Sequence, residues 1–284
     1  MVDKRCILAM QTGAYEGYSL ERALCGISKA GFENIELACI YGYVEHVIPE
    51  KMKQEDFGKL KGLLDEFGLK VTSISGHVSL IGKSDVPGVK KTLGTEEVLQ
   101  MWKNRIDLAA RLGAKVVNNS IGELKTKEDY EAFYSCAGIV EDCCRDKGVK
   151  MALETHGSFI GKELRPIMEK LRSKWIGVNY DTANPRYYHN VQAEDDIEKV
   201  IDWILNIHMK DHIGGKGEFN FPAVGTGEVN FHEIFRILKK HSWKGPVSAE
   251  IEYEGPSAPK RPPKVIDVDV QRSYDYATRL LERY

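Results

Sequence analysis

Short β-like runs alternate with helical runs from one end of this chain to the other, and that rhythm limits the fold more than any other feature. Strands are expected at 6–10, 34–40, 70–75, 115–120, 150–156, 176–181, 204–211 and 246–252. Helices are expected near 20–30, 52–67, 95–112, 127–147, 162–172, 194–202, 231–241 and 268–283. Several helical runs lead into a glycine just before the next strand (Gly31, Gly68, Gly113 and Gly148), as helix C-termini favour. Repeated strand–helix–strand units make a parallel sheet. Eight of them fill a closed (β/α)8 TIM barrel, for which roughly 250 residues suffice. The 284 residues therefore read as one α/β domain, residues 1–284. An open doubly wound sheet is the runner-up, but its Gly-rich dinucleotide fingerprint is missing. The nearest approach, Gly225-Thr226-Gly227, lacks the third glycine.

Composition narrows the partners. Forty basic against 42 acidic side chains leave a formal charge of −2, which gives no general attraction to nucleic acid or to an anionic membrane. No apolar run approaches the roughly 18 residues of a membrane-spanning helix. The stretch Cys6-Ile7-Leu8-Ala9-Met10 is too short for the apolar region of a secretion signal. Six cysteines without a CxxC pair read as reduced thiols of a cytoplasmic protein. The two long connections, 212–230 and 255–266, follow late strands and so belong to the barrel's C-terminal face. There the proline-rich stretch 256–263 is a candidate contact for a second copy in a homo-oligomer.

The polar residues on the late strands carry the chemistry. Side chains alternate between the two faces of a strand. In the fifth, sixth, seventh and eighth strands an apolar set can face the helices, while the opposite set ends in Glu154, Asp181, His208 and Glu250. At a barrel's C-terminal mouth these four converge. Three carboxylates together raise one another's pKa values and call for a compensating charge. Three oxygen donors with one imidazole suit Mn2+ or Mg2+, with Co2+ or Zn2+ able to substitute, and leave positions open for substrate or water. Glu252 shares a face with Glu250 and is its rival; two further residues would carry it away from the ring of ligands.

Asn34-Ile35-Glu36-Leu37, Ser75-Gly76-His77, Leu153-Glu154-Thr155-His156, Asn179-Tyr180-Asp181-Thr182, His208-Met209-Lys210-Asp211, the loop Val224–Val229 and Glu250 together resemble the xylose-isomerase-like TIM-barrel superfamily. The likeness is closest to its sugar phosphate isomerase/epimerase family and runs over essentially the whole chain. It implies that Glu154, Asp181, His208 and Glu250 hold one divalent ion, often manganese, and that Glu154 and Glu250 also form an acid/base pair. The implied reaction is α-proton transfer in a small carbohydrate through an enediolate. Return of the proton to the same carbon epimerises; return to the neighbouring carbon isomerises. Two other outcomes remain open. One is elimination on the same scaffold, as in inosose dehydratases or enzymes that cleave 3-keto-glycosides; the other is a non-catalytic sugar-binding barrel. Asn184 stands where endonuclease IV and ketose 3-epimerases tend to carry His, which argues against a trinuclear phosphodiesterase.

Further candidates surround this set. His156, two residues past Glu154, is expected on the same strand face as a catalytic base or hydroxyl partner; otherwise it bonds to a neighbouring loop. Lys210 would hold an enolate or phosphate oxygen, or pair with Asp211 or Glu252. His77, Asn184 and Glu36 complete the expected substrate-binding residues, Glu36 with the alternative of filling the barrel. The four tryptophans, Trp102, Trp175, Trp203 and Trp243, read as packing residues. The run Glu194-Asp195-Asp196 reads as the start of the sixth helix.

Overall fold

The computed structural model describes residues 6–83, 93–253 and 260–284. Among them, β1 (Cys6–Gln11), β2 (Asn34–Ala38), β3 (Lys70–Ser75), β4 (Val116–Ser120), β5 (Lys150–Glu154), β6 (Ile176–Asp181), β7 (Ile204–Lys210) and β8 (Gly245–Glu250) form a parallel sheet. It closes into a barrel when β8 pairs with β1, and the strands follow chain order. Around it lie α1 (Leu20–Lys29), α2 (Gln54–Glu66), α3 (Thr95–Leu112), α4 (Lys127–Lys147), α5 (Gly161–Leu171), α6 (Asn184–His189), α7 (Phe231–Lys240) and α8 (Pro263–Leu281). The TIM-barrel reading is thus the observed architecture.

The ends of the elements follow from local chemistry. Thr126 and Asp129 exchange bonds with each other's backbone to close the first turn of α4. Gly113 and Gly148 stop α3 and α4 at φ 79° and 65°, where a side chain would be strained. Proline at the first position of α8 starts that helix at residue 263, five residues earlier than periodicity suggests. Residues 256–259 of the expected contact stretch at 256–263 lie outside the described residues.

The sixth helix is the main correction. In place of one helix over 194–202 there are three short 3-10 turns, at Ala193–Asp195, Ile197–Lys199 and Ile201–Trp203, and a short helix, α6, directly follows β6. The acidic run does not sit on the N-terminus of its own helix. Asp196 is fully buried and accepts from Gly161 N at 2.6 Å and Lys162 N at 3.0 Å, so it closes the first turn of α5 instead. A cap supplied from 35 residues away is hidden from any reading of a local window.

Outward residues such as Ile35, Leu37, Ile74, Val117, Leu153, Val178, Ile207 and Val247 are fully buried beneath the helices. Each contributes roughly 1.5–3 kcal/mol of burial. Trp102 and Trp243 bond backbone carbonyls of Val78 and Ile204, in keeping with packing roles. The lumen differs from the branched aliphatic filling usual for this fold. Glu36, Ser73, Asn118, Asn179, Asn206, His208 and Ser248 are all 0% exposed. Glu36 on β2 bonds His208 on β7, and these strands are not neighbours, so the contact crosses the interior.

Candidate metal centre

Four polar side chains meet at the C-terminal end of the lumen. Glu154 ends β5, Asp181 ends β6, His208 lies in β7 as the direct partner of Asp181, and Glu250 ends β8. Glu154, Asp181 and His208 each present one ligand atom, all within 4.8 Å of one another. Glu250 Oε2 lies 2.7 Å, and Glu154 Oε2 3.1 Å, from His208 Nδ1.

The bonding around these atoms tests whether a cation fits. His208 Nε2 is 2.7 Å from Glu36 Oε1; a carboxylate only accepts, so Nε2 carries the proton. In the neutral ring that cation binding requires, Nδ1 would offer its lone pair to the cup; without a cation the carboxylates facing Nδ1 favour the charged ring. Asp181 Oδ1 accepts from Ala183 N at 2.8 Å and Asn184 N at 2.9 Å, which leaves Oδ2. Asp181 Oδ2 is buried and makes no hydrogen bond, and His208 Nδ1 and Glu250 Oε2, though 2.7 Å apart, are not aligned as one. Buried polar atoms are rarely left so. Three of them converging beside a third carboxylate, Glu154, match the donor set of a hard divalent ion.

Electrostatics agree. Burial works against charge on Glu154, but His208 and His77 outweigh it and hold its carboxyl well below the usual range. Burial likewise opposes the Glu250 charge, while Lys210 and His208 draw it down to about 2. Asp181 is pushed up to about 7 by burial, with Glu250 and Glu154 adding to the effect against Lys210. The His208 imidazole is disfavoured as a cation by burial, yet Glu36, Glu250 and Glu154 hold it well above its ordinary value. His208 and Lys210 thus compensate Glu154 and Glu250, and Asp181 is the carboxylate left pressed by its neighbours' charge.

The remaining candidates fall into distinct places. His77 Nε2 lies 3.3 Å from Glu154 Oε2, inside the cluster. Asn184 begins α6; its Nδ2 donates to Thr155 O at 2.8 Å and reaches Glu154 Oε1 at 3.4 Å. Lys210 is almost fully buried, with Nζ 2.5 Å from Glu252 Oε2, 3.7 Å from Asp181 Oδ2 and 3.9 Å from Glu250 Oε1. Of its two expected pairings the one with Glu252 forms. Asp211 instead accepts from the amides of Gly225, Gly227 and Val229 and folds the following loop. Glu252 goes to Lys210 while Glu250 faces His208, which separates the two rivals.

One expectation needs correcting. His156 does not extend β5, which ends at Glu154; it forms an antiparallel bridge with Phe159, and its Nε2 lies 2.8 Å from Tyr188 Oη on α6. Strand alternation therefore says nothing about where its ring points. Glu36 is 0% exposed and both of its oxygens are taken by protein donors, which matches the barrel-filling alternative: it holds His208 from below. Asn179 and Asn206, which bond within the same cluster, were missed as site residues. The available signal was a carboxamide on the inward face of a barrel strand, where an aliphatic is usual.

A family model described as a xylose isomerase-like TIM barrel matches residues 26–274. A ketose 3-epimerase of Arthrobacter globiformis is 24% identical over 256 residues, 84% of this chain and 80% of that protein. Among solved structures, a xylose isomerase-like TIM barrel protein from Mycobacterium smegmatis in complex with magnesium aligns with TM-score 0.77 at 16% identity, covering 99% of this chain and 98% of that one. A D-psicose 3-epimerase from Clostridium cellulolyticum H10, solved with D-tagatose, aligns with TM-score 0.73 at 16% identity, covering 96% and 99%.

Proposed function

The chain belongs to the xylose isomerase-like TIM barrel family, and from that premise we propose that it is a carbohydrate isomerase or epimerase dependent on one divalent metal ion. The observation that carries this reading is the convergence of ligand atoms from Glu154, Asp181 and His208 within 4.8 Å of one another, with the buried Asp181 Oδ2 left without a hydrogen bond. Glu154, Asp181, His208 and Glu250 would hold the ion, and their hard, mainly oxygen donor set favours Mn2+ or Mg2+, Mn2+ first. Bound there, a divalent ion polarises a carbonyl oxygen, an effect worth several kcal/mol.

The protein's own groups supply the proton chemistry. One of Glu154 and Glu250 removes the proton from the carbon beside the carbonyl. The C–H electron pair moves into the carbon–carbon bond, and the carbonyl pair moves onto oxygen. The other carboxyl, protonated from solvent, delivers a proton to the same carbon, or to the adjacent carbon while the neighbouring hydroxyl gives its proton to the former carbonyl oxygen. Positioned transfer of this kind contributes about 10²–10⁴-fold. His77, Asn184 and Lys210 are the groups that would meet substrate hydroxyls or the developing oxygen charge, and His156 would act from the rim beside Tyr188. Six free cysteines fit a reducing compartment such as the cytoplasm. Among the described residues no helix is long and apolar enough to cross a membrane.

Metal analysis with Glu154→Gln and Glu250→Gln tests the reading, with ketoses and aldoses turned over in deuterated water. Both variants should lose turnover and at least one should lose metal, while the wild type places deuterium on the reacting carbon. A product lighter by a leaving group assigns elimination instead. Full metal content with full activity in both variants refutes the mechanism.

A further inference from the structure

The cup rests on a buried layer of hydrogen bonds that diverge from Asn206, to Glu36 on one side and through Asn179 to Glu154 on the other. Glu36 Oε2 accepts from Ser73 Oγ at 2.6 Å, Asn118 Nδ2 at 2.7 Å, Ser248 Oγ at 2.8 Å and Asn206 Nδ2 at 3.3 Å, while Oε1 takes the His208 Nε2 proton. Asn206 Nδ2 also donates to Asn179 Oδ1 at 2.9 Å, and Asn179 Nδ2 donates to Glu154 Oε2 at 2.9 Å. Glu36 thus reaches two of the four cup residues, His208 directly and Glu154 through two carboxamides.

The direction is forced. Turning the Asn206 amide over would set its oxygen against the Glu36 carboxylate, and turning Asn179 over would set its oxygen against Glu154. The present orientation leaves Asn206 Oδ1 without a bond, which a freely chosen orientation would avoid. The strands yield to the same end: the β2–β3 register shifts between Ile35 and Glu36, and the β6–β7 register between Val178 and Asn179. Such irregularities re-aim side chains.

We propose that Glu36, Asn206 and Asn179 act as one positioning relay that presets the His208 tautomer and the orientation of the Glu154 carboxylate, so that the cup is shaped for its cation before the cation arrives. The relay rests on the metal-centre reading above. Its members touch neither substrate nor ion; they act through His208 and Glu154. Partners of this kind typically change metal affinity about 10–100-fold when removed.

A double-mutant cycle on Mn2+ affinity tests it, using direct metal titration of the full chain stripped of metal. Asn179→Ser and Asn206→Ser are paired with Asn179→Ala and Asn206→Ala, so that a variant that fails to fold has a smaller change behind it, and each is checked by its metal-free Tm. Each single change should weaken Mn2+ binding about 10–100-fold, and the double change should weaken it no further than the worse single one. Independent polar residues would instead multiply their effects. Unchanged affinity in the singles, or fully multiplicative losses in the double, overturns the relay while leaving the metal centre standing. A wild type that binds no Mn2+ overturns the metal centre itself.

Discussion

Glu36→Gln changes the chemistry of one atom at the centre of the barrel and keeps its shape. The carboxyl is held below the usual range: burial opposes its charge, but His208, Ser73 and Ser248 more than offset that. A carboxamide must place its NH2 on one of two sides. On the Oε2 side it would face the Asn118 and Asn206 amides, and Asn206 cannot turn to accept without breaking its bond to Asn179 Oδ1. On the Oε1 side it would face His208 alone, and the conflict ends if the imidazole proton moves from Nε2 to Nδ1. The second arrangement is cheaper. It loses one charge-assisted bond, worth about 1.5–3 kcal/mol, and turns the others into bonds to a neutral acceptor. The metal-free protein should lose about 2–4 kcal/mol in urea unfolding at pH 7. The same proton shift removes the lone pair that faces the cup, so Mn2+ affinity should fall about 10–100-fold. Equal stability and equal Mn2+ affinity in the variant would refute the reasoning.

Two further outcomes follow from contacts away from the cup. Asp196→Ala should cost about 2–4 kcal/mol in unfolding experiments, because α5 loses its cap and the buried Gly161 N–H loses its acceptor; a loss below about 1 kcal/mol would contradict this. Asp129 is lowered to about 2 by its bond with Lys83, with the Lys125 and Thr126 backbone groups adding to the effect. A depressed carboxyl stabilises the fold above its unfolded value and loses that contribution as pH falls towards the folded one. The stability difference between wild type and Asp129→Asn should therefore be full at pH 5 and shrink towards pH 2, and a difference that stays constant would exclude the pairing.

How far the sequence discloses this molecule depends on the range of the interaction that fixes each part. The barrel was legible because each strand and helix announces itself within its own window, through alternation, periodicity and terminal glycines; the expected bounds of β3, β6, α3 and α4 are the observed ones. The cup was legible for a related reason: Glu154, Asp181, His208 and Glu250 close the inward sets of consecutive strands, and closure of the barrel brings consecutive strands side by side. His156 was misplaced because its bridge to Phe159 ends the alternation, and that turn is made by the loop and not by the strand. Asp196 was misassigned, and Glu36 was left between two readings, because their partners lie 35 and 172 residues away in the chain. For Glu36, polarity on an inward face suggested contact with a ligand. In this barrel the lumen itself is polar, so a buried carboxylate can find five protein donors there and never reach the mouth. The chemistry of the rim is written strand by strand, whereas the groups that aim it are set across the lumen, between strands that share no local pattern.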